Sequence, residues 1–331
     1  MKKITALLLA LFVLVGALAG CGKQNDTNKT DKLSIVTTIF PEYDWVREIL
    51  GDKADNAEIT MLLDNGVDLH SYQPTADDIV KISDCDLFIY VGGESDGWVE
   101  DALRNAANRN MKVINLLEVL GDSVKTEEIV EGMQEEHEDA HAHDDAEEHE
   151  HEEEADEHVW LSLKNTKMLV KVISKALQEL DPDNKDIYAA NADAYVKKLS
   201  ALDADYQAAV DAASNKTILF GDRFPFRYLV DDYGLRYYAA FVGCSAETEA
   251  GFETISFLAK RVDEWKLPCV LTIEGAQHKI AETIVRNTTT KNQKVLTMDS
   301  MQSTTTQDVK NGTTYLSVME KNLSVLKEAL R

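Results

Sequence analysis

Two spacings of apolar residues alternate along most of the chain. Leu33 to Ile39 (LSIVTTI) is a β-branched run with strand character, and beyond Pro41 the residues Tyr43 to Leu50 follow a helical repeat. The succession then recurs: Ala57 to Leu63 as strand, Ala76 to Ser83 as helix, Asp86 to Val91 as a strand ending in Gly92-Gly93, Trp98 to Ala107 as helix, and Lys112 to Leu116 as strand. Strand and helix in turn predict a parallel sheet wrapped by helices, an α/β unit. Asn165 to Leu180 places Leu169, Ile173, Ala176 and Leu180 on one helical face, and Asp181-Pro182 closes this first lobe.

From Asp186 to Ala213 the pattern changes. Tyr188, Ala192, Tyr195, Leu199, Leu202, Tyr206, Ala209 and Ala213 recur at alternating steps of four and three. A helix of that span is about 42 Å long at about 1.5 Å per residue, longer than a small lobe requires. Alanine and tyrosine make a poor coiled-coil seam, so the stripe predicts a stiff connector laid along both lobes. A second alternation follows, with strands at Thr217 to Phe220, Tyr237 to Val242, Cys269 to Ile273 and Val295 to Met298. Helices are expected near Phe226 to Tyr233, Phe252 to Trp265, His278 to Asn287 and Tyr315 to Leu330. Three of these strands end on an acid, namely Asp222 (after Gly221), Glu274 and Asp299. Open α/β sheets bind ligands beyond the carboxyl ends of their strands, so these carboxylates mark where a ligand sits. His70, in the loop after the second strand, stands in the same relation to the first lobe.

Charge alters this picture in one place. Six of the eight histidines lie between Gln134 and Leu163, and Glu135 to His158 holds fourteen acids with no Lys or Arg. Such a run repels itself, which predicts a solvated loop over about 124–157. Imidazole and carboxylate are ligands for borderline divalent metals, so His137, His141, His143, His149 and His151 are candidate auxiliary ligands. His158 is carried by Val159-Trp160-Leu161 into folded structure. Without the run, 45 acids face 34 bases, an ordinary balance that offers nucleic acid no basic face.

The amino terminus reads as an address. Met1-Lys2-Lys3 and the apolar run Ile4 to Ala19 form a secretion signal too short to span a bilayer. Leu18-Ala19-Gly20-Cys21 resembles the lipobox of bacterial lipoproteins, which implies acylation of Cys21 and anchoring on the outer face of the cytoplasmic membrane. Residues 22–31 are then a polar tether. Cys85 and Cys269 sit in apolar runs as buried thiols, and an oxidising compartment permits a Cys244–Cys269 disulfide.

Two histidines from one lobe and one or two carboxylates from the other would make a metal site suited to zinc or manganese better than calcium or magnesium. The order of several segments carries a resemblance: Asp68-Leu69-His70-Ser71-Tyr72-Gln73-Pro74, Trp98, His158-Val159-Trp160-Leu161, Tyr233-Gly234-Leu235 and Val295 to Asp299. In this the chain resembles the substrate-binding lipoproteins of bacterial zinc and manganese ABC transporters, the ZnuA-like group, over nearly all its mature length. The resemblance implies two Rossmann-like lobes with parallel sheets joined by one long helix, and a metal held between them and passed to a membrane permease. It implies His70, His158 and Asp299 as ligands. Where the family has a further histidine or glutamate this chain has Arg223, which stays protonated and cannot ligate. Asp222 is the favoured substitute, with Glu274 or water as the other choices, or Arg223 pairing with Asp299.

The expected division is signal 1–20, tether 21–31, first lobe 32–182, connector 183–213 and second lobe 214–331. The expected role is a monomeric zinc receptor, manganese being the alternative cargo and an adhesin or structural lipoprotein the alternative class. An enzyme is not expected, since no His-Glu-x-x-His occurs and the His-x-His pairs, His141/His143 and His149/His151, lie in the acidic loop.

Overall fold

The β-branched run at the start of the first lobe forms β1 (Leu33–Thr37), and its last three residues, Ile35, Val36 and Thr37, are buried. The structure, a computed structural model, describes residues 32–134, 154–245, 249–275 and 277–331. Helix α1 (Phe40–Leu50) begins three residues before the expected Tyr43, because the Glu42 carboxylate reaches back to the Thr38 amide at 2.8 Å and Pro41 suits a first turn. There follow β2 (Ala57–Met61), α2 (Ala76–Asp84), β3 (Leu87–Tyr90), α3 (Val99–Arg104), β4 (Lys112–Asn115) and a short α4 (Leu116–Leu120). The four strands are all parallel, in the order β2-β1-β3-β4.

Helix α5 (Leu163–Leu180) closes the first lobe and α6 (Lys185–Ala212) is the long connector. Its buried stripe is Tyr188, Ala192, Tyr195, Leu199, Leu202, Tyr206 and Val210. Near one end Asn191 donates to the Ile49 carbonyl of α1 at 3.0 Å. Further along, Tyr206 donates to the Met319 carbonyl at 2.6 Å and stacks on Tyr233, with ring centroids 5.2 Å apart. The stripe is thus consumed inside the chain.

The second lobe has β5 (Thr217–Phe224), α7 (Arg227–Tyr233), β6 (Arg236–Val242), α8 (Phe252–Trp265), β7 (Cys269–Thr272), α9 (Lys279–Asn287) and β8 (Lys294–Thr297), then α10 (Thr306–Lys310) and α11 (Tyr315–Ala329). Its parallel sheet, β6-β5-β7-β8, repeats the order of the first. Strand β5 outruns its expected end at Phe220: after a bulge between Phe220 and Arg223 it pairs again with β6, so Asp222 and Arg223 lie within the strand.

One apolar cluster runs from Ile35 and Trp45 through Trp160 and Tyr195 to Phe220 and Leu326. Helix α11 ties the lobes together, for Asp44 of α1 accepts the Tyr315 amide at 2.9 Å and Trp45 meets Tyr315 edge to face. The acidic loop is pinned at its borders, contrary to a free segment beginning near residue 124. Thr126 bridges Ala155, and the Gln134 amide donates to Ala240 at 2.9 Å. Backbone pairing and the buried Met133 outweigh the local charge there.

Candidate metal centre

Carboxyl ends of strands from both sheets deliver side chains to one cleft. After β2, Asp68 accepts the His70 amide at 3.1 Å, capping a single turn (Leu69–Ser71) whose Leu69 is buried. After β3, Gly92 and Gly93 take positive φ of 92° and 82°, and a Cβ on Gly93 would lie 2.4 Å from Glu157 Oε1. That turn brings the Ser95 hydroxyl to 2.8 Å from His70 Nδ1 and lets the Ser95 amide donate to Glu157 at 2.8 Å.

His158 is held from the other side. Val159, Trp160 and Leu161 are wholly buried, and Trp160 Nε1 donates to the Ser300 carbonyl at 2.8 Å. Asp156 accepts the His158 amide at 2.9 Å and faces its Nδ1 at 3.0 Å. Each imidazole therefore spends Nδ1 on a neighbour, and the two Nε2 atoms meet at 3.2 Å. Zinc–nitrogen bonds of about 2.0–2.1 Å would close that gap with an angle of roughly 100° at the metal, near tetrahedral. A carboxylate behind a ligating histidine is the usual support for such a bond.

The electrostatics agree. Burial, then the facing His158, push the His70 pKa down to about 3. At His158 burial acts downward too, but Asp156 outweighs it and holds the pKa above its ordinary value. Two cations at this separation repel, and the charged form is favoured at His158 over His70. Asp156 and Glu157 are each 2% exposed, and Glu157 Oε2, 3.5 Å from His70 Nδ1, accepts no hydrogen bond among the described residues. Buried negative charge with an orphaned oxygen favours a dication between the rings.

The expected carboxylates are each engaged in hydrogen bonds of their own. Asp222 accepts the Arg223 amide at 2.9 Å and the Ile273 amide at 3.4 Å, turned toward β7. Glu274 gathers the loop after β8, accepting from the amide and hydroxyl of Ser300 at 2.6 and 2.7 Å. Asp299 accepts the Met301 amide at 2.8 Å, and its backbone exchanges hydrogen bonds with Asn322 of α11. Among the described residues the cluster whose ligand atoms lie within 4.8 Å of one another is His70, His158 and Cys244. Arg223 pairs with Asp68 at 2.6 Å, not with Asp299, and its other nitrogen donates to the Ser245 carbonyl at 3.3 Å. Gln302 completes the wall: in the amide orientation that satisfies every neighbour, its nitrogen donates to Asp68 Oδ2 at 2.8 Å and its oxygen accepts from His158 Nε2 at 2.7 Å.

Among the described residues Cys85, Cys244 and Cys269 are all free, so the expected Cys244–Cys269 disulfide is not formed. Cys269 opens β7 whereas Cys244 follows the end of β6, so in a parallel sheet they sit at opposite ends of their strands. Cys21, the signal, and His137, His141, His143, His149 and His151 lie outside the described residues.

Two parallel-sheet lobes of one strand order, a long helix serving both, and facing imidazoles in the cleft define a two-lobed α/β protein with a candidate metal site. The sequence profile of the family described as zinc-uptake complex component A, periplasmic (ZnuA), matches residues 35–329, and the chain belongs to that family. It is 34% identical over 328 residues to the zinc-binding lipoprotein AdcA of Streptococcus pneumoniae, covering 99% of this chain and 61% of that longer relative. It is 31% identical over 322 residues to the high-affinity zinc uptake system protein ZnuA of Bacillus subtilis, covering 97% and 95% of the two chains. The crystal structure of the Zn(II)-bound ZnuA-like domain of S. pneumoniae AdcA superposes with a TM-score of 0.69 at 30% identity, covering 90% of this chain and 99% of that domain.

Proposed function

We propose that the protein is an extracytoplasmic receptor that captures zinc between its lobes and delivers it to the membrane permease of an ABC transporter. Its role is capture and hand-over, not catalysis. The observation that carries this reading is the pair of buried imidazoles, Nε2 to Nε2 at 3.2 Å, each backed by a carboxylate or hydroxyl. Relatives named for zinc support zinc as the cargo. In this reading Cys21 carries the lipid anchor, and the loop histidines His137, His141, His143, His149 and His151 gather ions loosely before one enters the cleft.

Calorimetric titration with zinc and with manganese tests it. The intact chain is expected to show one tight zinc site plus weak ones, and the double variant His70→Ala, His158→Ala is expected to lose the tight site alone. Undiminished tight binding by that variant, or manganese bound more tightly than zinc, would overturn the proposal.

A further inference from the structure

The residue that the family leaves to a histidine or glutamate is here an arginine, yet the cleft still presents a third donor. Gly243 lies against His158: a Cβ there would be 3.0 Å from His158 Cε1 and 3.0 Å from the Phe224 carbonyl. Only a residue without a side chain lets the end of β6 come so near the imidazole, and the next residue is Cys244. Two hydrogen bonds fix this turn. The Cys244 amide donates to Glu127 at 2.9 Å, and Arg223 holds the Ser245 carbonyl at 3.3 Å while its other arm grips Asp68 beside His70. Arg223 thus holds together the two loops that bear Cys244 and His70.

The geometry points to Cys244 as the third ligand of the cleft metal, giving a site of two imidazole nitrogens and one thiolate sulfur. This deepens the receptor reading and rests on it. Tetrahedral zinc, with bonds of about 2.0–2.1 Å to nitrogen and about 2.3 Å to sulfur, sets nitrogen and sulfur about 3.6 Å apart. One ligand atom from each of the three residues already lies within 4.8 Å of the other two, so closing to that spacing takes a movement on the order of 1 Å. On coordination the sulfur–hydrogen bond breaks, its electron pair forms the metal–sulfur bond and the proton passes to solvent, with no change of oxidation state. Thiolate is a soft ligand, so this set favours zinc and cadmium and disfavours manganese.

Cobalt(II) titration of the intact protein is the test, because a thiolate bound to cobalt gives an intense sulfur-to-metal charge-transfer absorption in the near ultraviolet that imidazole and carboxylate do not. The expected result is one equivalent of that absorption, abolished by Cys244→Ser and kept by Cys21→Ser, Cys85→Ala and Cys269→Ala. Cys244→His is expected to bind without the absorption, and Cys244→Ser to lose on the order of 100-fold or more in zinc affinity, beyond the roughly 10–100-fold typical of outer groups. In the wild-type protein zinc is expected to shield Cys244 from alkylation, a readout that needs no variant. Tight cobalt binding that depends on His70 and His158 but lacks the absorption, with Cys244 still alkylated, would overturn the thiolate and leave the receptor reading standing. Cobalt binding indifferent to both histidines would remove both.

Discussion

The imidazole of His158 owes its reach to one carboxylate. Asp156 accepts both its amide and its Nδ1 proton, which fixes the ring and leaves Nε2 for a metal. Asp156→Asn is expected to weaken zinc binding roughly 10–100-fold, read by competition with a chelating dye, with little change in folding. Protons compete for the same nitrogen. Because the His158 pKa lies above 6.5, the proton must leave before zinc enters, so affinity is expected to rise with pH through and beyond 6.5 and then level off. A flat profile from pH 5 to 8 would contradict the pairing. His70 and His158 were legible in the sequence because their neighbours form recognisable segments. Asp156 and Glu157 were not, since in the sequence they are only the last two acids of a long run and nothing local sets them apart. Cys244 offered only a thiol count, and Gln302 no signal at all, because its contacts with Asp68 and His158 cross the whole fold.

Elements were legible where one apolar period ran unbroken. Helix α8 has the expected ends, and α6 the expected face to within one turn, because each buries a long stripe. Strand β5 was cut short because Gly221 and Asp222 look like a turn, whereas Gly221 is there to let the strand pass Ala281, whose Cα lies 2.6 Å from where a Cβ would be. The helix joining the lobes supplies a test remote from the metal. Tyr206→Phe removes its buried hydrogen bond to the Met319 carbonyl, which keeps its place in the helical ladder of α11, and is expected to cost about 0.5–1.5 kcal/mol in urea unfolding. At the α1–α11 contact, burial first and Glu48 second push the Asp44 pKa up to about 7. Between its ordinary 3.8 and that value the folded state binds the extra proton, so stability falls as pH rises across this window. Asp44→Asn keeps an acceptor for the Tyr315 amide and removes the charge. It is expected to gain on the order of 1–4 kcal/mol relative to wild type at pH 8, and nothing at pH 4. Equal differences at the two pH values would count against a charged, buried Asp44.

At the scale of the molecule, the parallel α/β class and the paired lobes were readable from the alternation of strand and helix, but their degree of union was not. The shared core, the Asp44–Tyr315 and Trp160–Ser300 hydrogen bonds and the helix α6 leave little room for a wide hinge. Metal capture is therefore expected to close loops, not swing lobes. Hydrogen exchange should slow chiefly near residues 64–72 and 242–245 on adding zinc, with little change in the radius of gyration. Replacing residues 135–153 with a short glycine linker is expected to leave the tight site intact, because Gln134 and Asp156 are both fixed to the folded body. Loss of all tight binding on that replacement would place the principal site in the loop. The most direct measurement is a crystal structure of the zinc-loaded protein with anomalous data at the zinc edge. One ion bonded to Nε2 of both His70 and His158 at about 2.0–2.1 Å is the expected result. Zinc found only elsewhere, with the two imidazoles still facing each other, would contradict it.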